Sequence, residues 1–398
     1  MSSATRSKNR SHFAMAKYLR FFANFAFRRW HPRVIAVTGP DDKAMMLHMI
    51  EFELGERAHC SPSATSATGV AFDLLGINTA RDSKTHWLKA IFLAPIRALY
   101  YHRSGEFYVV AIDSERPREV EFLATWLKPE VTLWIAPSDA AILAENTQKY
   151  IYIDANSPEM KSAVKGAKAK VLEFDKKKLK RYNAYPTRTD FIFESTSFHF
   201  AQAQPKDIAL QLPMLESLVD YLGVPLRTDF SSMSVPPGRS SYFHGKKDLN
   251  IIDSSYGTHL ASAQSILEMV RNLRAGHKWL VIGDIVEQDN HEGEEHRKLA
   301  NLIADTNPEM VILVGPRTKE YTASRLRELG VPARTTLDPK KALTFIEQNA
   351  TGEETLIFKG GQNLELIIEN LLENPEDAKK LSRREPANNK HREKRGQK

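Results

Sequence analysis

The sequence predicts an α/β protein with two sheet-containing domains. The first is a central P-loop-like domain with a mainly parallel sheet, and the second is a smaller, doubly wound, Rossmann-like C-terminal domain. Apolar runs of strand length alternate with amphipathic segments of helical length along most of the 398 residues. Residues 34–46 read as a strand, a glycine turn and a helix. The turn-rich stretch SVPPGRSS, residues 234–241, separates the two sets of strands.

The composition predicts a soluble globular protein. Hydrophobic residues make up 42% of the chain and charged residues 26%. Cys60 is the only cysteine, which excludes an intrachain disulfide and a cysteine-based metal site and favours a reducing compartment. No apolar run reaches the roughly 18 residues of a membrane span, and no signal peptide is evident. The predicted location is therefore cytoplasmic.

Residues 1–31 are predicted to form a basic amphipathic helix that ends at His31-Pro32, because the residue before proline disfavours helical geometry. Its apolar residues, at near-helical spacing, are Phe13, Leu19, Phe22, Phe25 and Ala26. The basic residues between them are Lys17, Arg20, Arg28 and Arg29. Two interpretations stay open. Residues 11–30 could lie on an anionic membrane surface, which would place the protein at the inner membrane face, or the aromatic face could pack on the following domain.

The next segment resembles a phosphate-binding loop that lacks part of its chemistry. The strand Val34–Val37 leads into Gly39, and Lys43 follows at the start of a predicted helix. In such loops, glycine lets backbone N–H groups surround the phosphates, the lysine reaches the β- and γ-phosphates, and the next hydroxyl binds Mg²⁺. Gly39 and Lys43 are therefore predicted to bind nucleotide. The residue after the lysine is Ala44, which cannot ligate a metal.

Four carboxylates near this loop allow two interpretations. They are Asp41, Asp42, Asp113 and Glu115. One Mg²⁺ needs only one or two carboxylates and water, so they could form a substitute site. They could equally be solvated loop charges, and the first two place negative charge where a triphosphate would lie.

The elements follow in α/β order. In the first domain, strands are predicted at Phe107–Ile112, Val131–Ala136, Lys149–Ile153 and Lys170–Phe174. Helices are predicted at Ala44–Leu54, Glu119–Trp126 and 207–223, and residues 191–200 read as an exposed strand or hairpin. In the second domain, strands are predicted at Leu249–Asp253, Trp279–Ile282, Met310–Val314 and Thr355–Phe358. Its helices are predicted at Ala261–Leu273, Glu294–Ala304, Tyr321–Leu329, Lys340–Gln348 and Leu364–Leu372.

These assignments predict a central domain over 32–240, a C-terminal domain over 241–376 and a disordered basic tail over 377–398. A basic tail can contact nucleic acid or anionic lipid. Nucleic-acid binding is not predicted, because the chain has no base-reading module.

Six segments, in family order, resemble the Mur ligase family, and within it the branch that adds D-alanyl-D-alanine. Three lie in the C-terminal domain: LNIIDSSYGTHLASAQSILEMVRNL at 249–273, VIGDIVEQDNHEGEEH at 281–296 and LIFKGG at 356–361. The other three are GVAFDLLG at 69–76, VVAIDSERPREVEFLATWLKPEVTLWI at 109–135 and VPPGR at 235–239.

The resemblance implies an ATP-dependent ligase of cell-wall precursor synthesis, in which a carboxylate and ATP form an acyl phosphate that an amine then attacks. It implies that Arg239, Asp253 and Tyr256 bind the nucleotide, and that Asp284 and His296 position a muramyl-peptide-like substrate. Arg239 could instead be a surface linker residue. Asp284 and His296 could instead cap and hydrogen-bond the helix near residue 294.

Departures from the family pattern predict lost or much reduced activity. Ala44 and Ala111 stand where the family has a metal-binding hydroxyl and a carboxylate, and residues 136–146 lack the family's histidine. Gly257 replaces an asparagine that contacts the nucleotide, and a separate N-terminal UDP-binding domain is not expected. The prediction is weak ATP binding without a defined Mg²⁺ site, in a pseudoenzyme that binds a muramyl-peptide-like ligand or a protein partner. The alternative is an active acid–amino acid ligase.

Overall fold

The computed structural model describes residues 3–39, 43–61, 65–77, 84–114, 117–286, 291–361 and 364–382. The described residues up to 176, together with 210–227, form a first compact unit, and residues 177–209 with those from 228 onward form a second. Residues 177–209 and 228–240, which the sequence assigns to the central domain, therefore lie in the second unit.

The first unit contains one six-stranded parallel sheet. In the order β2-β3-β1-β4-β5-β6, all neighbouring strands are parallel. The strands are β1 Arg33–Thr38, β2 Ala58–Ser61, β3 Phe107–Ile112, β4 Val131–Trp134, β5 Tyr150–Asp154 and β6 Lys170–Phe174. The helices are α1 Ser3–Trp30, α2 Lys43–Leu54, α3 Ala67–Leu75, α4 Lys84–Tyr100, α5 Pro117–Leu127, α6 Ala141–Asn146 and α7 Pro158–Ala163, together with α8 Ile208–Tyr221 from residue 210 onward.

Helices cover both faces of this sheet, as a doubly wound fold requires. Tyr108, Val110 and Ile112 of β3 lie in the core shared with α1, α3, α4 and α5. Side chains alternate along a strand, so Val109 and Ala111 face the opposite side, where α2 packs on β1, β2 and β3.

Helix α1 packs on the core through one side only. Ala16, Leu19 and Ala23 are fully buried, and Phe13 and Phe22 pack partly buried against the same core. The helix ends at Trp30, as predicted, and the next residue, His31, has a left-handed backbone with φ of 53°.

The second unit contains a six-stranded sheet in the order β10-β11-β15-β12-β13-β14, parallel except for the antiparallel edge strand β10. These strands are β10 Ser241–His244, β11 Asn250–Ser254, β12 His277–Gly283, β13 Met310–Val314, β14 Ala333–Thr336 and β15 Glu354–Lys359. The helices are α9 Leu260–Asn272, α10 Glu292–Ala304, α11 Ala323–Glu328, α12 Pro339–Asn349 and α13 Leu364–Leu371. One apolar core lies against α9, α10 and α11, and another lies against α12 and α13.

A separate antiparallel sheet, β7-β8-β9, completes the second unit. Its strands are β7 Arg181–Tyr185, β8 Arg188–Ile192 and β9 Ser197–Phe200. The predicted α/β fold class is confirmed: two sheets, each largely parallel and flanked by helices. Among the described residues, no helix has both the length and the hydropathy needed to cross a membrane.

Candidate functional site

The best-formed candidate site in the second unit is the carboxyl edge of its parallel sheet. Strands β11, β12, β13 and β15 all end at this edge, where doubly wound folds bind ligands. Asp253, Tyr256 and Asp284, which the sequence assigns to the site, lie at or just after two of these strand ends. The structure therefore brings them to one edge.

Lys359, the last residue of β15, is a site residue that sequence reasoning did not single out. Its side chain is buried, and its Nζ donates a hydrogen bond of 2.8 Å to the carbonyl oxygen of Gly257. A buried ammonium group at a strand end is suited to an anionic ligand. The signal in the sequence was the KGG that follows an apolar run, but a lone lysine after a strand is not a specific motif.

Gly257, which takes the place of the asparagine expected from the resemblance, lies close to two side chains. A Cβ atom at this position would lie 2.7 Å from Ser262 Oγ and 3.1 Å from Lys359 Nζ. The turn after β11 therefore contributes its backbone carbonyl, which orients the lysine, rather than a side-chain amide.

The loops after β12 and β15 approach each other closely through glycine backbones. A Cβ on Gly283 would lie 2.7 Å from the Cα of Gly361, and the Gly361 N–H donates a 3.0 Å hydrogen bond to the Asp284 carbonyl oxygen. Gly360 and Gly361 also have positive φ values. Side chains at these positions would separate the two loops, so this edge depends on close contact between glycine backbones.

Arg239 and Tyr256 form a stacked pair beside this edge. The Tyr256 N–H donates to the Gly238 carbonyl oxygen at 3.1 Å, which ties the PPGR loop to the turn after β11. The Arg239 guanidinium carbon lies 4.8 Å from the centroid of the Tyr256 ring. Half of the Tyr256 surface is exposed. An exposed aromatic ring stacked on a guanidinium group is suited to contact with a planar base.

Asp253 shapes the same turn from inside. It is fully buried at the end of β11, and its Oδ1 accepts a 2.9 Å hydrogen bond from the Ser255 N–H. This bond holds the backbone that presents Tyr256. A direct contact of Asp253 with nucleotide stays a prediction.

Asp284 caps a helical segment, but not the helix near residue 294 that the sequence suggests. Its carboxylate accepts hydrogen bonds from the Thr318 N–H at 2.8 Å and the Thr318 hydroxyl at 3.0 Å. It therefore caps the helical segment that follows β13 rather than the helix near residue 294. Gly315 leaves the space that this needs, because a Cβ there would lie 2.3 Å from Asp284 Oδ1.

His296 lies on α10 and is fully buried. Its Nδ1 is 2.9 Å from the Thr322 hydroxyl, and its Nε2 is 3.4 Å from the Ile285 carbonyl oxygen. Burial lowers its pKa, because the charged imidazolium is disfavoured away from water. These contacts hold α10 against the neighbouring helical segment, and the positioning of substrate by Asp284 and His296 stays a prediction.

In the first unit, the described part of the loop after β1 has one glycine and one lysine. Gly39 has φ of 145°, and a Cβ there would lie 2.9 Å from Ile135 Cγ1, so glycine is required. Lys43 begins α2, and its Nζ donates to the Gly39 carbonyl oxygen. A lysine at a helix N-terminus beside a glycine turn fits a phosphate group.

The same loop does not fit a magnesium ion in the family manner. Ala44 is the second residue of α2, and Ala111 is buried on the β3 face that α2 covers. Neither methyl group can bind a metal. Asp41, Asp42 and Glu115 lie outside the described residues. In the described part of the chain, no group of three or more His, Cys, Asp or Glu side chains is placed to hold a metal ion.

Comparison with known proteins agrees with the sequence motifs. Residues 238–361 match the model of the Mur ligase glutamate ligase domain family. No curated protein matches the chain.

Several solved structures share the fold. The MurF ligase from Thermotoga maritima in complex with ADP is 16% identical, and the match covers 90% of this chain and 82% of that one with a TM-score of 0.68. MurF from Acinetobacter baumannii is 14% identical, with 91% and 80% covered and a TM-score of 0.69. The UDP-N-acetylmuramate-alanine ligase MurC from Thermotoga maritima is 14% identical, with 88% and 77% covered and a TM-score of 0.61. Residues 238–361 thus match the Mur ligase glutamate ligase domain family, within a fold that these solved Mur ligases share, and the predicted resemblance is confirmed.

Proposed function

We propose that this chain is a Mur-ligase-type protein of peptidoglycan precursor metabolism in the cytoplasm, and that its ATP-dependent ligase activity is lost or much reduced. Its ligand is a muramyl-peptide-like molecule, or a protein partner that takes the place of a substrate. The nucleotide-binding residues are Gly39 and Lys43 in the first unit, and Arg239, Asp253 and Tyr256 in the second.

Nucleotide binding is supported by the edge of the second sheet. The exposed Tyr256 ring, stacked on Arg239, offers a surface for a base, and Lys359 adds a buried positive charge at the neighbouring strand end. A MurF structure of the same fold contains ADP. These features support binding, whereas the reaction depends on the first unit.

The observation that carries the proposal is the pair Ala44 and Ala111. The family reaction transfers the γ-phosphoryl group of ATP to a carboxylate, and a magnesium ion supplies the charge stabilisation that this transfer needs. A hydroxyl at position 44 and a carboxylate at position 111 would hold that ion, but this chain has methyl groups there. Lys43 can still contact a phosphate, so we expect binding to survive better than transfer.

The alternative is an active acid–amino acid ligase that adds a peptide to a muramyl-peptide precursor. The well-formed edge of the second unit, with a buried Lys359 held by a turn carbonyl, is compatible with this alternative as well as with binding alone. Under this alternative Asp41, Asp42, Asp113 or Glu115 would replace the missing metal ligands.

ATP affinity is expected to be weak and nearly the same with Mg²⁺ or with EDTA, because neither Ala44 nor Ala111 can hold the ion. Isothermal titration of the full chain measures this. Tyr256→Ala should lower the affinity about five- to tenfold through lost base stacking. The matched control is Tyr185→Ala, because Tyr185 also stacks on an arginine, Arg274, in the second unit. Tight binding that requires Mg²⁺ would show that the chain has another metal site.

The activity test measures ADP and phosphate release from ATP with a UDP-muramyl-peptide acceptor, with and without an amine substrate. No amine-dependent turnover above background is expected. Lys43→Ala identifies activity that comes from this chain rather than from a contaminant. Clear turnover that this substitution abolishes would refute the pseudoenzyme proposal and establish the active-ligase alternative.

A further inference from the structure

The described residues of the first unit expose an unusual amount of large apolar surface on two helices. Of the twelve exposed large hydrophobic side chains in the described part of the chain, nine lie on α1 and α4. We call these nine residues the α1/α4 face: Tyr18, Phe21, Phe25, Leu88, Phe92, Leu93, Ile96, Leu99 and Tyr100. A concentration of this kind on one surface marks an interaction site rather than scattered surface residues.

Helix α4 has its large and small apolar residues on unexpected sides. Ala90, Ala94 and Ala98 recur at helical spacing and are buried against the core. Phe92 and Ile96 recur on the outer side, where Phe92 is 72% exposed. A helix that only needed to pack on this domain would bury the phenylalanine and expose the alanines. Small residues toward the protein and large apolar residues outward are typical of helices that contact lipid.

The two helices run side by side in the same direction, so their exposed residues form one surface. The Tyr18 hydroxyl on α1 donates to the Ile91 carbonyl oxygen on α4 at 2.9 Å. Further along both helices, the Arg29 guanidinium donates to the Leu99 carbonyl oxygen at 3.0 Å. Positions 18, 25 and 29 lie on one stripe of a helix with 3.6 residues per turn. Phe25 therefore lies on the side of α1 that borders α4.

The charge of these two helices indicates which kind of partner the α1/α4 face binds. Across their 45 residues, α1 and α4 contain ten lysines and arginines and no aspartate or glutamate. In α1 they are Arg6, Lys8, Arg10, Lys17, Arg20, Arg28 and Arg29, and in α4 they are Lys84, Lys89 and Arg97. Exposed apolar side chains on helices whose only charged residues are basic complement an anionic lipid surface, which offers acyl chains beneath negatively charged headgroups.

A second copy of the chain fits this surface less well. In a two-fold dimer each helix would meet a surface of the same composition, so positive charges would oppose positive charges. No acidic residue on either helix could offset that repulsion.

We propose that the α1/α4 face binds the surface of an anionic lipid bilayer. The two helices lie along the headgroup region, with Phe21, Phe25 and Phe92 among the inserted side chains and the exposed Lys17 and Lys89 against the headgroups. The same α1 keeps Leu19 and its neighbouring alanines in the protein core, so the helix serves both the domain and the membrane. The proposal requires no helix to span the bilayer, and it is independent of whether the ligase reaction survives.

The test is co-sedimentation of the full chain with phosphatidylcholine vesicles that contain or lack phosphatidylglycerol. We expect binding only to the anionic vesicles, falling about tenfold or more between low and high salt. The paired substitution of Phe92→Ser and Ile96→Ser should lower binding about tenfold or more while leaving the thermal unfolding midpoint unchanged, because both side chains are exposed. The matched control replaces Leu329 and Leu337, exposed leucines of the second unit, by serine and should bind as the unmodified chain does.

Three results would overturn the proposal. The first is no binding to anionic vesicles. The second is binding that the Phe92→Ser and Ile96→Ser pair leaves unchanged, since the basic segment 383–398 would then account for it. The third is a dimer, measured by light scattering, that the same pair of substitutions dissociates, because the face would then be a contact between copies.

A second variant, Lys17→Gln with Lys89→Gln, should weaken the salt dependence of vesicle binding and keep the fold, because both side chains are exposed.

Discussion

Replacing Leu19 by alanine is expected to destabilise the first unit by about 2–5 kcal/mol. Leu19 is fully buried among the residues that α1, α3 and α4 contribute to the core. Its replacement removes transfer free energy and leaves a cavity, because the flanking Ala16 and Ala23 are too small to fill it. A loss of this size is a large part of the stability of a typical domain, roughly 5–15 kcal/mol.

Urea unfolding followed by tryptophan fluorescence measures this effect in the right part of the chain. Four of the five tryptophans lie in the first unit: Trp30, Trp87, Trp126 and Trp134. The matched control is Phe21→Ala, two positions away on the same helix but 61% exposed, which should change stability by less than about 0.5 kcal/mol. An effect of Leu19→Ala as small as that of Phe21→Ala would mean that α1 is not part of the core.

The contrast between these two positions shows what the sequence could predict about α1. Helical spacing and the stop at His31-Pro32 predict the helix and its end correctly. Spacing alone does not say which apolar residues face the core, because α1 has apolar residues on two sides. Leu19 and Ala26 are buried as the pattern suggests, but Phe25 is exposed and the alanines at 16 and 23 do much of the packing.

Helix α4 was less predictable for the same reason. The sequence of residues 84–100 has apolar residues on every side of a helix, with a few basic ones between them, and indicates only a helix–loop region. Its core side consists of alanines at positions 90, 94 and 98, whereas large side chains usually mark the buried face.

The short strands β2, β7, β10 and β14 were also not predicted, because four or five residues with polar or exposed side chains carry almost no periodic signal.

The sequence predicted only part of the candidate site. Strand ends and family motifs locate Asp253, Tyr256 and Asp284 at the sheet edge, because parallel strands end together. The partners of those residues come from distant parts of the chain, and no local pattern reveals them. The capping of residue 318 by Asp284 and the contact of Lys359 with Gly257 are examples.

The pH dependence of stability is expected to change when Glu53 is replaced by glutamine. Glu53 lies near the end of α2 and is almost completely buried, and both of its carboxylate oxygens accept from the Arg227 N–H at 3.2 Å. Burial is the largest influence on this carboxyl group, and it raises the pKa from 4.5 to about 7, although the contact with Arg227 acts in the opposite direction. The folded protein thus holds a proton that the unfolded chain releases more readily.

The sign of the effect follows from that difference. Below pH 4.5 the group is protonated in both states and contributes nothing. As pH rises from 4.5 to about 7, the unfolded chain loses its proton first, so the free energy of unfolding falls, and above pH 7 the loss levels off. Between pH 5 and pH 8, this single group should lower stability by about 2–3 kcal/mol.

Glutamine keeps an oxygen that can accept from the Arg227 N–H but cannot ionise, so Glu53→Gln should gain about 2–3 kcal/mol relative to the unmodified chain between pH 5 and pH 8. The buried amide adds a cost of its own, which is the same at both pH values, so the diagnostic quantity is the change in the difference between the two proteins rather than the difference at one pH. Glu51→Gln is the control, because Glu51 is exposed on the same helix and should give no such change. Urea unfolding of all three proteins at both pH values measures the effect, and parallel curves for Glu53→Gln and the unmodified chain would show that Glu53 is ionised in the folded state well below pH 7.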